Sequence, residues 1–413
     1  MIRSTVAHVD LAALQANFKA IQAFLAAGRA TGPRRAGAVG APPEGPPGQN
    51  QQGSPTSPPR IIAVVKANAY GHGAERVALA LEAAGADRLA CADIEDGIVL
   101  RRAGVRAPIL VFGALSVSDL DGLFEFSLTP TISSPAAARA VQAAAAKQAK
   151  TLGYHLKIDT GMNRLGFRHD NLRRTLPELL GSPNLQLEAI LTHFATADDP
   201  ELPFFDQQRT RFEAALKTIE EIRAAPAEAG PHVPRGRVLI HASNSAATLR
   251  DSRVWYDMVR PGLLLYGIVP PPLATTIPLT PVMSLTSRVV AVKGVRPGEG
   301  VGYGLRFRAD TPVTTAVIPA GYADGIDLRV SGRCHVLIRG RRVPIVGSVS
   351  MDMMTVDVTG LDDVSPGDEV VIIGRQGNES WQQIDAREMA SAIGTIPYEI
   401  VCRIGARIER QYD

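Results

Sequence analysis

Cysteine is nearly absent from this sequence. Its 413 residues hold three, Cys91, Cys334 and Cys402, too few and too scattered for a disulfide framework or a zinc site. No metal is expected, and a reduced, cytoplasmic setting fits such usage. Aromatic residues are sparse at 5%. No run reaches the roughly 18 consecutive apolar residues that a membrane-spanning helix needs. Neither sign of charge dominates: 44 Lys plus Arg face 41 Asp plus Glu, a net of +3. Such a balance calls for neither nucleic acid nor an anionic membrane as partner. The remaining figures, 45% hydrophobic and 21% charged, exclude wholesale disorder. At a prior of about 150 residues per domain, the length suggests two or three.

Proline and glycine crowd into one place. Residues 31–60 hold 8 of the 30 prolines and 6 glycines, with Val39 their only large aliphatic side chain. Such a segment buries too little apolar surface to offset its ordering entropy, and it reads as a disordered insertion. Its Arg34, Arg35 and Arg60 against Glu44 leave only +1 for the other 383 residues. Upstream, Leu11, Leu14, Phe18, Ile21 and Leu25 recur at steps of three and four from Asp10 to Ala27. That is an amphipathic helix packed on a core. Asp10 and Lys19 interrupt what a signal peptide would keep apolar.

After the insertion, short apolar runs alternate with helical patterns. The runs are Ile61–Lys66, Arg88–Ala92, Ile109–Phe112, Ser127–Ile132, Tyr154–Asp159, Leu187–His193, Val238–Ala242 and Tyr256–Arg260. Helical spacing covers Ala74–Ala84, Asp93–Ala103, Pro135–Lys150 and Pro203–Ala225. Eight β–α units in about 210 residues predict a (β/α)8 TIM-type barrel. A doubly wound open sheet is the alternative, because periodicity alone does not close a barrel. Near Val269–Pro281 the texture changes to short β-rich runs: Leu285–Val292, Thr314–Pro319, Cys334–Arg339, Arg342–Val346, Met354–Val358 and Glu369–Ile373. The reading is a barrel domain over 1–272 and a C-terminal all-β domain over 273–413.

In barrels, reactive side chains stand at the C-terminal ends of the strands. Lys66 closes the first run and precedes Ala67-Asn68-Ala69-Tyr70-Gly71-His72-Gly73. Burial there favours a neutral amine, a nucleophile able to join an aldehyde cofactor or a carbonyl substrate. A lysine that merely snorkels to water is the alternative. After the seventh run comes His241-Ala242-Ser243-Asn244-Ser245, and after the eighth Arg260-Pro261-Gly262. Hydroxyls, an amide and a glycine exposing backbone N–H groups suit a phosphate monoester, although Ser243 or Asn244 alone also reads as a helix cap. An aldehyde-binding lysine opposite a phosphate cradle describes pyridoxal 5′-phosphate. Arg260, which does not deprotonate, would leave the cofactor's pyridine nitrogen a neutral acceptor, suited to simple proton exchange at Cα.

These residues stand in blocks that resemble the alanine racemases. Ala63–Gly73 looks like the family's cofactor-attachment signature. Similarity continues through Lys157–Gly166, Thr192–Asp198, His241–Ser245, Arg260–Gly262, Val301–Gly304, Gly321–Gly325, Ser350–Asp352 and Pro397–Glu399, in family order. The resemblance implies a homodimeric, fold-type III enzyme interconverting L- and D-alanine, for which bacterial cell-wall supply is the usual service. It implies that Lys66 carries the cofactor and acts as the base on the D-alanine side, and that Tyr303 of a partner copy is the base on the L-alanine side. Two bases on opposite faces are what racemisation demands. A tyrosine ordinarily titrates near 10, and the family places His193 and Arg260 in a network around that ring.

By the same mapping, Tyr70, Asn244, Ser245, Gly262, Leu263 and Tyr398 bind cofactor, chiefly its phosphate. Arg164 and the Met351 backbone N–H meet the substrate carboxylate, and Lys157 matches a lysine that some members carbamylate. Two positions depart from the family: Ser350 stands where some members have cysteine, and Ser348 where many carry an arginine at the entrance. The second departure loosens the expected substrate selection. A broad-spectrum or serine racemase is therefore the alternative. A decarboxylase of this fold type would want a carboxylate where Arg260 stands.

Overall fold

The computed structural model describes residues 4–31, 57–115, 119–224, 237–377 and 381–413. The expected disordered insertion at 31–60 falls largely on residues 32–56, outside the described residues. Among the described residues, eight parallel strands form a ring, Arg60–Val64, Arg88–Cys91, Ile109–Val111, Leu128–Ile132, Leu152–Asp159, Leu185–Leu191, Leu239–His241 and Met258–Val259, and the two-residue strand Phe167–Arg168 pairs beside Leu152–Asp159. The last of the eight pairs with the first, Val259 opposite Ile61, and Leu128–Ile132 pairs with Leu152–Asp159. The ring is closed, so the chain builds a barrel and not a doubly wound sheet. The strands sit where apolar runs predicted them. Between them lie helices at Ala74–Ala83, Ile94–Arg102, Pro135–Lys147 and Phe204–Ala224.

Local chemistry explains the helix starts. Asp93 accepts the Asp96 N–H and Ser134 the Ala137 N–H, with Pro135 in the first turn. The opening helix, Leu11–Thr31, packs Leu14, Phe18, Ile21 and Leu25 fully inside. On that same face lies Asn17, also buried. Its side chain donates to the Leu265 and Thr280 carbonyls and accepts the Thr280 N–H at 2.8 Å. A polar residue among leucines thus bridges the helix to the connection between barrel and second sheet.

The second sheet is antiparallel over most of its width. Its order is Ala291–Val295, Val313–Ile318, Met354–Asp357, Arg341–Val346, His335–Ile338, Glu369–Gln376, Met283–Arg288, Val6–Val9 and Glu409–Tyr412. Val6–Val9, ahead of the barrel in the chain, is thus a strand of this sheet, antiparallel to Met283–Arg288 and parallel to Glu409–Tyr412. The expected single strand Leu285–Val292 is two strands. Val289 turns the chain, accepting the Gly367 N–H at 2.8 Å and donating to Asp368 at 2.9 Å, so that each half pairs with a different neighbour. Two short helices, Ala386–Ile393 and Pro397–Cys402, return the chain toward the barrel mouth.

Candidate active site

Lys66 leaves the first barrel strand at its C-terminal end. The next four residues, Ala67, Asn68, Ala69 and Tyr70, all have φ between 52° and 53°, a left-handed turn costing roughly 1–2 kcal/mol per residue. The surroundings hold it. Gly71 donates to Ala67 at 3.1 Å, Gly73 to Asn68 at 3.0 Å, and the Asn68 side chain accepts the Ala74 N–H at 2.8 Å. Gly71 (φ 82°) has no room for a Cβ beside the Val401 carbonyl. The turn drives Tyr70 back into the protein, where its ring packs 5.0 Å from Tyr266 and 5.9 Å from Tyr398. Strain of this kind concentrates at functional sites.

Lys66 is exposed as a residue, yet enough protein surrounds its amine to hold the pKa below the usual lysine value. Desolvation is the first cause and repulsion from Arg164 the second. Lys157, 8% exposed, is pushed down to about 8 by burial, then by Arg164 and Arg260. Lys66, Lys157, Arg164 and Arg260 therefore make one cationic mouth. Concentrated positive charge of this kind draws anionic ligands.

Arg260 anchors it. Arg260 is 4% exposed, and one Nη donates to Thr192 O and Ala242 O, each at 2.8 Å, and to His193 Nδ1 at 3.3 Å. The other donates to His241 Nδ1 at 2.8 Å. No carboxylate pairs with it among the described residues, and burial lowers its pKa to about 9, so it stays charged at neutral pH. Nε has no protein acceptor among those residues. Burial and the same cation hold His193 well below the ordinary histidine value, hence neutral. Gln208, on helix Phe204–Ala224, fixes this strand end by donating to His193 O and Thr160 Oγ1 at 3.1 Å and accepting the Ala195 N–H at 2.8 Å.

The phosphate-like corner lies where the seventh and eighth strands end. Asn244 caps helix Ser245–Arg250 by accepting the Ala247 N–H at 2.9 Å, which commits its side-chain oxygen to that helix. Ser245 Oγ accepts the Gly262 N–H at 2.9 Å and lies 3.5 Å from the Leu264 N–H. Leu263 opens a 3-10 turn, Leu263–Tyr266, immediately after Gly262. A Cβ at Gly262 would overlap the Tyr70 hydroxyl and sit 3.0 Å from Tyr70 Cζ. Ser245, Gly262, Leu263, Tyr70 and Tyr398 are therefore drawn together from four separate segments.

Pyridoxal 5′-phosphate fits these residues. A lysine with a depressed pKa ends the first strand, hydroxyls and backbone N–H groups gather after the seventh and eighth strands against Tyr70, and a buried arginine without a carboxylate partner among the described residues ends the eighth. Tyr303 and Met351 are not part of this gathering within one chain. They lie on the second sheet's side, 77% and 53% exposed, and no hydrogen bond joins either side chain to the mouth among the described residues. Ser348 holds the Tyr303 carbonyl at 2.9 Å. The sequence reading missed His155, two residues before Lys157 on one strand and hence on the same face. His155 Nδ1 bonds His241 Nε2 at 2.9 Å across the barrel interior.

Known proteins resemble this chain along nearly its whole length. The family model for the alanine racemase N-terminal domain matches residues 50–270, and that for the C-terminal domain matches 282–412. An alanine racemase of Carboxydothermus hydrogenoformans is 42% identical over 356 residues, 85% of this chain and 92% of that protein. The solved alanine racemase from D-cycloserine-producing Streptomyces lavendulae superposes with a TM-score of 0.83 at 33% identity, covering 100% of this chain and 98% of that one. A Bartonella henselae alanine racemase with covalently bound pyridoxal phosphate matches at 26% identity and a TM-score of 0.79, covering 99% of both chains. A closed barrel, a lysine-and-arginine mouth and family matches spanning both halves place this chain in the alanine racemase family, among the amino-acid racemases.

Proposed function

We propose that this protein is a pyridoxal 5′-phosphate-dependent racemase that interconverts L- and D-alanine as a cytoplasmic homodimer, supplying D-alanine for peptidoglycan. The observation that carries the reading is Arg260. It is a buried guanidinium without a carboxylate, held by two histidines and two carbonyls within reach of the Lys66 mouth. The cofactor, when bound, supplies the electron withdrawal that makes a Cα proton removable. Ser245, the Gly262 and Leu263 N–H groups, and the hydroxyls of Tyr70 and Tyr398 would hold its phosphate, with Asn244 shaping the helix start. Arg260 would face its ring nitrogen as a donor. Arg164 and the Met351 N–H would orient the substrate carboxylate, with Lys157 setting Arg164 by its charge state or as a carbamate.

The proton traffic then needs two groups. Lys66, with its lowered pKa, spends more time as a free amine than an ordinary lysine and takes or returns the proton on one face. Tyr303 of a partner copy serves the other face. Its exposure in the single chain supports that assignment, because a base delivered to a second copy must project from its own. The same reading divides the chain at 272/273, the barrel holding cofactor and the second domain, to which Val6–Val9 lends a strand, serving the partner. Lys66→Ala tests it: the absorbance of lysine-bound cofactor and racemisation of alanine should both vanish. Racemisation near the wild-type rate in that variant overturns the proposal.

A further inference from the structure

The Arg260–His241–His155 chain extends beyond the site just described. Arginine donates only, so His241 Nδ1 accepts from Arg260 at 2.8 Å and the His241 proton lies on Nε2. That proton is donated to His155 Nδ1 at 2.9 Å. Burial, reinforced by neighbouring arginines, keeps both rings neutral. His155 therefore carries its own proton on Nε2, an atom that is buried and has no hydrogen-bond partner among the described residues. It lies 3.9 Å from the Glu188 carboxylate. Glu188 sits at the N-terminal end of the barrel, paired with Arg88 at 3.3 Å, and its side chain is 38% exposed to solvent. Room for that carboxylate inside the barrel exists because its neighbour on the adjacent strand is Gly153, where a Cβ would collide with Glu188 Oε1. Arg88 in turn donates to Thr129 Oγ1 at 2.9 Å, fixing the floor.

We propose that Glu188 and His155 are positioning residues for Arg260: a carboxylate at the barrel floor fixes the direction of every donor in a two-histidine chain, and so fixes the acceptor against which Arg260 is held. A negative charge facing His155 Nε2–H favours that tautomer over the reverse. In the reverse tautomer both His155 Nδ1 and His241 Nε2 would carry protons, and the bond between the rings would be lost. His241 could then meet its neighbours only by moving its proton to Nδ1, which would remove the acceptor that Arg260 needs. The inference rests on the proposed role of Arg260 opposite the cofactor's ring nitrogen. It assigns to the far end of the barrel a function that the mouth alone does not reveal.

The test is Glu188→Gln, which preserves shape and removes charge, with Arg88→Gln as a control that disturbs the floor but leaves the carboxylate. Histidine 15N shifts of the labelled holoenzyme report both tautomers directly. In the wild type His155 and His241 should each be protonated on Nε2 and unprotonated on Nδ1. In Glu188→Gln, His155 should populate the Nδ1–H form, and the cofactor's absorbance maximum should shift. The racemisation kcat should fall on the order of tenfold with KM nearly unchanged, the size of one charge-assisted hydrogen bond. Glu188→Asp should restore part of each signal, while Arg88→Gln should keep the wild-type tautomers. Wild-type tautomers and an unchanged cofactor spectrum in folded Glu188→Gln overturn the inference. The tautomer readout does not depend on turnover, so a protein with the predicted tautomers that leaves alanine unracemised would refute the proposed function and spare the chain's polarity.

Discussion

Replacing Gly262 with alanine should weaken cofactor binding by a route that the geometry makes specific. The backbone at Gly262 has φ −115° and ψ −89°, between the regions that residues with a Cβ favour, so part of the cost of the substitution is local backbone strain. The other part comes from one neighbour. The new methyl would overlap the Tyr70 hydroxyl and stand 3.0 Å from its Cζ and 3.5 Å from its Cε2, where carbon atoms prefer roughly 3.5–4.0 Å. The ring must therefore withdraw by about 0.5–1 Å. Tyr70 is 5% exposed, wedged against Tyr266 and Tyr398, and rooted in the left-handed turn, so it has little space to give. Overpacking at such a site costs about 1–3 kcal/mol. Displacing one donor from a phosphate loses a hydrogen bond to a charged group, about 1.5–3 kcal/mol, or roughly 10–100-fold in affinity. Titrating the apoenzyme with pyridoxal 5′-phosphate by fluorescence measures that loss. Tyr70→Phe removes the colliding oxygen, so the double variant should lose clearly less than the two single losses combined. Unchanged affinity in Gly262→Ala, or strict additivity with Tyr70→Phe, would refute the reasoning.

Three further outcomes follow from the same structure, beginning with the Lys66→Ala loss of cofactor absorbance and racemisation already set out. Tyr303→Phe should leave deuterium exchange at Cα nearly intact starting from D-alanine and slow it roughly 100-fold or more starting from L-alanine; equal slowing of both enantiomers in D2O would remove Tyr303 from its assigned face. Lys157→Met should stabilise the protein at the expense of activity, because burial brings the folded pKa to about 8, below the ordinary lysine value of 10.5. Below pH 8 both states are protonated and the folded one bears the penalty, about 3 kcal/mol; the unfolded chain alone keeps the proton between 8 and 10.5, so wild-type stability climbs there toward that of the variant. Parallel stability–pH curves from denaturant unfolding, with no convergence over that window, would contradict it.

The barrel was legible because parallel strands buried on both faces are written as short apolar runs, and turns separate those runs cleanly. Closure was not, since it depends on Met258–Val259 reaching Arg60–Ile61, a pairing of two residues between segments almost 200 apart in sequence. Val6–Val9 escaped for the same reason: four residues carry almost no period, and their partners are Met283–Thr286 and Glu409–Tyr412. Helix Ala386–Ile393 carries legible signals at both ends. Asp385 accepts the Arg387 and Glu388 N–H groups as its cap and Gly394 ends it at φ 69°, both ordinary start and stop signals. The left-handed turn after Lys66 was beyond reach, because alanine and tyrosine have no preference for positive φ and only tertiary contacts impose it.

The site divides along a similar line. Lys66, Arg260 and Ser245 were found because each ends a strand or begins a helix, where chemistry is expected. His155 was passed over because a histidine in Tyr154-His155-Leu156 resembles core filler, and the signal available was its two-residue spacing from Lys157. Barrels of this kind usually fill their interior with branched aliphatic side chains. Here His155, Lys157, His241 and Arg260 take part of that space, and Glu188 closes it from below. Each hydrogen bond in such a core counts, since every buried polar group left alone costs about 1–3 kcal/mol, and His155 Nε2 has only the charge of Glu188 before it. On the proposed polarity, the Glu188 charge that faces the last histidine at 3.9 Å acts on the first arginine through the two rings, although it lies below them and the arginine above.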